Sequence, residues 1–515
     1  MATEDLPISS YSALLLFLLS SLYLLSKCWK NNFSSPRPYP LLGHLPQFLA
    51  NRRRLADWIA SCLAASPNNT FFLYRPGGVR GVITANPANV EHVLRVRFDN
   101  YPKGARFISN LHDFLGRGIF NSDGNTWRLQ RKTASFEFNT RSLRSFVVRC
   151  VQHETRCRLL PLLQTACTKS QLLDLQDVLE RFAFDNVCKV AFDLDPACLG
   201  QEDEDSDVDF SSGFAEAFKD AANLSAGRFR YAIPNLWRLK KLLGVGSERR
   251  LRESISTVHD FSLRIIRSRK KEVRKVAEKD DLLSRFIADE REHYSEEFLR
   301  DIVISFLLAG RETTSSALTW FFWILASRPD VEERILEEIR LMRTRKRSSD
   351  KDEPSFDFEE LKEMQYLHAA ISESMRLYPP VPVNSTEAKE DDVLPDGTAV
   401  KKGWFVSYNS YGMGRMKAIW GEDCEEYKPE RWLTEDGHFR PESPFRFPAF
   451  HAGPRMCLGK EMAYIQMKSI VASLLERFVI EVQDMDTSPE KVMSLTLRMK
   501  GGLPVSVKDR CMDKI

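Results

Sequence analysis

The chain has 515 residues, 43% hydrophobic, 28% charged and 11% aromatic, with 74 Lys and Arg against 71 Asp and Glu for a net charge of +3. This composition excludes collagen-like, mucin-like and largely disordered chains, and the charge balance argues against a nucleic-acid binder. A mean hydropathy of −0.33 excludes a polytopic membrane protein but leaves room for one anchor.

The first predicted element is the uncharged run from Leu6 to Ser26, with ALLLFLLSSLYLL at its centre. As a helix it spans about 30 Å, enough to cross a bilayer. Glu4 and Asp5 precede it, and Lys27 and Lys30 follow. The positive-inside bias therefore puts the N-terminus in the lumen and the chain body in the cytosol. The acidic flank and the lack of an A-x-A site distinguish it from a cleaved signal peptide. Residues 1–30 are expected to be a single-pass anchor, followed by a stiff extended hinge over 31–46 set by Pro36, Pro38 and Pro40.

Residues 71–85 (FFLYRPGGVRGVITA) predict a hairpin turning at Pro-Gly-Gly. From about 125 to 345 helical periodicity dominates. The acidic stretch 201–210 reads as a solvated loop, and the basic residues 343–347 with the following SSDKDEP as another. The longest helix is expected to start at Ser295 as N-cap, with Glu296 and Glu297 in its first turn, and to stop before Pro329. Its nearly continuous apolar character implies burial.

At the middle of that helix stand Ala309, Gly310, Arg311, Glu312, Thr313 and Thr314. The glycine costs about 1 kcal/mol relative to alanine, and a buried acid–alcohol pair is expensive unless hydrogen-bonded. A purely structural helix does not need this combination. Farther on, Glu373 and Arg376 are i, i+3 on one helix, where they can pair, and Arg431 could share the carboxylate. Short strands return near 393–409 and 493–508, giving a mainly α chain with a minor β region.

Ten cysteines form no C-x-x-C pair, which argues against zinc ribbons and thioredoxin-like redox motifs. One of them is set apart by its neighbours. The run Phe450-His451-Ala452-Gly453-Pro454-Arg455-Met456-Cys457-Leu458-Gly459 satisfies F-x-x-G-x-R-x-C-x-G, just before a helix starting near Lys460. There backbone N–H groups and the helix dipole can hold Cys457 as thiolate. Gly453 and Gly459 let the backbone approach a flat cofactor, and Arg455 can pair with an anionic group on it.

With these residues the chain resembles the cytochrome P-450 superfamily over essentially its whole length. Trp127 to Arg131 is similar to the W-x-x-x-R helix that binds a haem propionate, and Ala309 to Thr314 to the oxygen-activating A-G-x-D/E-T-T motif. Glu373 to Arg376 resembles E-x-x-R, and Pro429-Glu430-Arg431-Trp432 the segment completing its ion-pair triad. The segments AGRETTSSALTWFFW, GMGRMKAIWGED and FHAGPRMCLGKEMAYIQMKSIVASLLERF resemble plant P-450 enzymes that hydroxylate fatty acids at the terminal carbon. Glu312 stands where that group usually carries Asp.

The resemblance implies a cytochrome P-450 fold with 47–515 as one haem-binding catalytic domain, anchored on the endoplasmic reticulum membrane and facing the cytosol. It implies haem b ligated by Cys457, O2, and NADPH-derived electrons from NADPH–cytochrome P-450 reductase, for which Arg128 and Lys132 are candidate docking charges. Trp127, Arg131, Ala309, Gly310, Thr313, Phe450, Gly453, Arg455 and Gly459 are expected to contact the haem. Glu312 and Thr313 are expected to deliver protons, and a break near Gly310 to leave room for O2. Phe107, Phe114, Ser305, Ala309, Val381, Val383 and the 498–503 turn are expected to line a channel for a lipophilic substrate, with Glu373, Arg376 and Arg431 as structural support.

The implied reaction inserts one oxygen atom of O2 into an unactivated C–H bond, foremost at the terminal carbon of a long-chain fatty acid. A sterol side chain and a fatty-acid-derived hormone conjugate stay open as substrates. So do, outside that class, an O2-independent hydroperoxide isomerase or dehydratase and a non-catalytic haem-binding sensor. No nucleic-acid partner is expected. The family usually draws a further cation to the propionates from the stretch after Pro379-Pro380, and none occurs here before Lys389.

Overall fold

The computed structural model describes residues 37–138, 141–200, 212–273, 281–288, 294–347 and 356–510. The expected anchor at 1–30, the start of the hinge and the acidic stretch 201–210 lie outside the described residues. Among the described residues no helix is long and apolar enough to cross a membrane. The described part of the hinge departs from an extended rod. Tyr39 and Gly43 exchange backbone hydrogen bonds of 2.7 and 2.8 Å around a turn at Pro40–Leu42, after which the helix Leu45–Ala50 begins. Pro40 tolerates the turn because its fixed φ suits a turn position as well as an extended one.

The expected hairpin forms from Thr70–Arg75 and Val79–Thr84, with Thr70 opposite Thr84 and Arg75 opposite Val79. Val79–Thr84 pairs in parallel with Phe405–Tyr408, which pairs antiparallel with Asn384–Glu387 to close a four-stranded sheet. A second sheet joins Leu173–Asp174, Pro504–Asp509 and Phe478–Val482, and the strands Lys491–Met493 and Leu497–Met499 make a separate hairpin. The rest is helical, so the mainly α reading with minor β describes the molecule. The basic run after 342 differs from the expected loop. It continues the helix Pro329–Arg347, because Arg343 has two anchors there: Glu476 at 2.6 Å and the ring of Phe356 at 3.8 Å.

Ser295 caps the helix Glu296–Leu307 by accepting from the Phe298 N–H. The long helix expected from the sequence is two α-helical segments, Glu296–Leu307 and Thr313–Leu325, joined by a π-helical turn over Leu308–Glu312. Its second half is almost wholly buried, as its unbroken apolar run requires. Trp320 stacks on Tyr378 at 4.3 Å and donates from Nε1 to the carbonyl of Leu497. Ser316 Oγ donates to the same carbonyl, while the Leu497 N–H donates to Pro380. The C-terminal hairpin is thereby tied to the central helix. A second apolar cluster packs between the four-stranded sheet and Trp420, Trp432 and the Leu55–Ala65 helix.

Candidate active site

The loop before the C-terminal helix Lys460–Arg477 is built from two short 3-10 turns, Pro448–Phe450 and Gly453–Arg455. The Cys457 N–H donates to the Phe450 carbonyl at 2.8 Å, folding the loop back on itself. Cys457 keeps an accessible face but is crowded by protein on its other sides, so burial pushes the thiol up. The Gly459 N–H, Arg131 and Lys460 pull it back toward thiolate. Gly453 has φ +63°, and a Cβ there would stand 2.1 Å from the Leu94 carbonyl. The close approach that demands glycine at 453 is therefore to the chain's own backbone, where the sequence had suggested a cofactor.

Trp127 and Arg131 lie on the helix Gly124–Phe138. The Arg455 guanidinium sits over the Trp127 ring at 4.4 Å and donates to Asp123 Oδ1 at 2.7 Å and to the Ser122 carbonyl. Asp123 also accepts from the Lys103 and Gly104 N–H groups. Lys103 is buried in this cluster, and burial together with Arg455 pushes its amine down to about 7. Burial, then Lys103, likewise holds His451 near 3. Lys103, Arg131, Arg455 and Lys460 thus gather around one thiol and one carboxylate, with Arg131 making no ion pair among the described residues. This donor set fits a dianionic, thiolate-ligated cofactor such as haem, whose two carboxylates would balance the surplus. Lys103 and Asp123 carried no sequence signal, and Lys389, the first cation after Pro380, is exposed.

The π-helical turn holds the acid–alcohol pair. Gly310 faces the helix Leu175–Phe192, where a Cβ would stand 2.5 Å from a methyl of Val187. On that side the glycine admits a neighbouring helix. Thr313 Oγ1 donates to the Ala309 carbonyl at 2.6 Å. Glu312 is buried and paired: Arg311 Nη1 at 2.6 Å, with Arg498 Nη1 and Thr496 Oγ1 each at 3.3 Å. Both arginines also reach Glu180, Arg311 at 3.3 Å and Arg498 more closely. Burial pushes Glu180 up, with Arg311 opposing. Glu180 carries no local signal, and Arg498, expected only as part of a channel-lining turn, pairs with Glu312 from far along the chain.

The Glu373–Arg376 pair has no solvent exposure at all. Arg376 donates to Glu373 from Nε and Nη2 at 2.7 and 2.8 Å, and Arg431 Nε, Trp432 Nε1 and the Lys428 N–H each donate to it at 2.9 Å. The remaining guanidinium donors of Arg376 go to the carbonyls of Gly414, Cys424 and Glu426.

Of the expected channel residues, Phe107, Ala309, Val381 and Val383 are half-buried. Phe114 is sealed in the core against Phe218, and Ser305 is buried and donates to the Asp301 carbonyl. The 498–503 turn is divided: Arg498, Met499 and Leu503 are buried and Lys500 is exposed. Arg128 and Lys132 are both exposed, Arg128 lying 3.4 Å from Asp99.

The cytochrome P-450 family model matches residues 33–504. Cytochrome P-450 CYP94D108 of Paris polyphylla is 52% identical over 468 residues, 91% of each chain. Cytochrome P-450 94A1 of Vicia sativa is 45% identical, covering 93% of this chain and 91% of its own. Cytochrome P-450 94B1 of Arabidopsis thaliana is 46% identical, covering 93% and 92%.

Proposed function

The chain belongs to the cytochrome P-450 family, and from that premise we propose that it hydroxylates long-chain fatty acids at the terminal carbon, as a membrane-anchored enzyme served by NADPH–cytochrome P-450 reductase. Members of the family are monooxygenases that use haem b bound through a cysteine thiolate, O2 and NADPH-derived electrons. The observation that carries the reading is the Cys457 thiol, set at a helix start among four cations and one paired carboxylate.

In this reading the Cys457 thiolate would bind the haem iron, and Trp127, Arg131, Arg455 and Lys103 would hold the haem carboxylates. Phe450, Gly453 and Gly459 shape the loop around the sulfur. Haem held there would supply the oxidising chemistry by which one atom of O2 enters a C–H bond and the other, with two electrons and two protons, leaves as water. The chain's own task is to exclude water, fix the substrate and move protons. Thr313 can swing its hydroxyl from the Ala309 carbonyl to carry a proton. Glu312 is the proton reservoir behind it, held by Arg311 and Arg498 until a partner exchanges. Arg128 and Lys132 offer exposed charge to the reductase. Glu373, Arg376 and Arg431 support the frame.

The test is a set of substrate-binding difference spectra over fatty acids of rising chain length, hormone conjugates and sterols, followed by NADPH-dependent turnover with product positions read by mass spectrometry. Terminal hydroxy acids are expected. Turnover without NADPH, or of sterols alone, refutes the proposal.

A further inference from the structure

A cavity of about 840 Å3 lies between the helix Leu45–Ala50, the segment 227–240 and the strand Lys491–Met493. Phe48, Leu55, Val492 and Met493 give it apolar walls, while Arg52, Arg53, Arg230, Lys240 and Lys491 face a single carboxylate, Glu490. That carboxylate is already taken by Lys500 at 2.8 Å, and Lys491 is matched by Asp57 at 3.2 Å. Arg52, Arg230 and Lys240 make no ion pair with any described residue, in a chain whose net charge is only +3.

Arg230 is the most constrained of these. It is half-buried, and burial with Arg52 beside it holds its guanidinium below the ordinary range. The backbone on either side is pinned: buried Arg75 donates to the Phe229 carbonyl at 3.0 Å and to the Tyr231 carbonyl at 3.3 Å, with its own guanidinium over Phe48 at 4.5 Å. Phe229 in turn packs on Phe107 at 5.7 Å, one of the expected channel residues. Like charges kept together in a partly desolvated cavity raise the free energy until an anion arrives. With the backbone around it already fixed, Arg230 has less freedom to lose when one does.

We infer that Arg230, assisted by Arg52, binds the carboxylate head of an amphipathic substrate in this cavity, leaving the opposite end of its chain free for oxidation. The inference rests on the fatty-acid reading above and names the end by which the acid is gripped. An anionic phospholipid head could supply the same chemistry at the membrane surface. Arg52 is exposed, but the half-buried position of Arg230 beside the apolar walls of Phe48, Leu55, Val492 and Met493 favours the substrate, whose acyl chain those walls can cover.

The test compares a long-chain acid with its methyl ester on the full-length holoenzyme in neutral bilayers, by displacement of a fluorescent fatty acid and by turnover. The acid is expected to bind about 10–100-fold more tightly than the ester. Arg230→Gln with Arg52→Gln should erase that difference by weakening the acid alone, and Arg230→Lys should restore part of it. Equal binding of acid and ester by the unaltered protein, or a preference that survives in the double variant, overturns the inference. It also falls if the double variant loses attachment to anionic vesicles yet keeps its acid preference, since the cations would then serve a lipid head. Terminal hydroxylation of acid and ester alike, without preference, leaves the fatty-acid reading standing while the inference is lost. No turnover of either removes both.

Discussion

Two of the buried charge clusters in this molecule are built on opposite plans. Around Glu373 five donors converge on one carboxylate, none of the contacts is longer than 2.9 Å, and neither Glu373 nor Arg376 has any exposure. Around Glu312 two carboxylates share two arginines, several contacts reach 3.3 Å, and the backbone beneath is a π-helical turn. The first arrangement is over-satisfied, so any one donor could move without freeing the acid. The second is evenly matched, so moving one partner leaves another group looking for a proton or a counter-charge. Burial alone therefore does not say what a charge is for. The ratio of donors to acceptors does: surplus donors make a frame, and parity makes an exchangeable site.

Substitutions can break this contrast, and the largest effect is expected at the frame. Glu373→Ala strands Arg376 in the interior, while Arg431 keeps Asp423 at 3.2 Å, and should cost about 3–5 kcal/mol, read as a lowered urea midpoint and a reduced fraction of haem-loaded protein. A loss below about 1 kcal/mol would show that the donors there are redundant. Glu312→Gln should behave differently. It leaves the fold in place at a cost of about 1–3 kcal/mol, while turnover falls about 100-fold and peroxide leaks. Equal stability losses at both sites, with turnover intact in Glu312→Gln, would erase the distinction.

Acid should reach the frame by a different route. His368 shares the helix Gln365–Leu377 with Glu373 and lies 4.0 Å from Phe439 and 3.9 Å from Tyr464. Burial, aided by Lys468 and Lys460, pushes its pKa down to about 3. The unfolded chain titrates histidine near 6.5, so below that pH it binds the proton that the folded state refuses. Stability should fall as pH drops from about 6.5 toward 3, and His368→Phe should flatten that slope in thermal melts. The smallest effect sets the scale for the rest. Ser295→Ala removes one cap from the helix leading into the Glu312 cluster and should cost about 1 kcal/mol, with turnover unchanged.

What the sequence revealed follows contact distance along the chain. Glu373 with Arg376, the Cys457 loop, the hairpin at 71–85 and the disturbance at Gly310 are all local patterns, and periodicity or motif spacing exposes them. Burial of the Glu373 pair was not legible, because an i, i+3 spacing is the same on a surface helix as on a buried one. Neither was the company of Glu312, since Arg498 reaches it from a strand remote in sequence, and Glu180, on a remote helix, shares both of its arginines. Gly453 is legible as a point of close approach, and Gly310 as a break in its helix. The approaching groups were Val187 and the Leu94 carbonyl, which no reading of neighbouring letters could supply. The basic run near 343 was misread because its charge suggested solvent, while Glu476 and Phe356 give Arg343 a folded environment.

The Leu497 carbonyl, which receives both Ser316 and Trp320, fastens the C-terminal hairpin to the helix carrying Glu312, and the next residue, Arg498, reaches that acid directly. Inheritance and engineering meet a constraint here. A chimaera that takes its last segment from another protein imports a new neighbour for Glu312, however well the joint itself is made. Exchanges in this part of the chain should succeed in matched sets, with Glu180, Arg311, Glu312 and Arg498 travelling as one unit of descent.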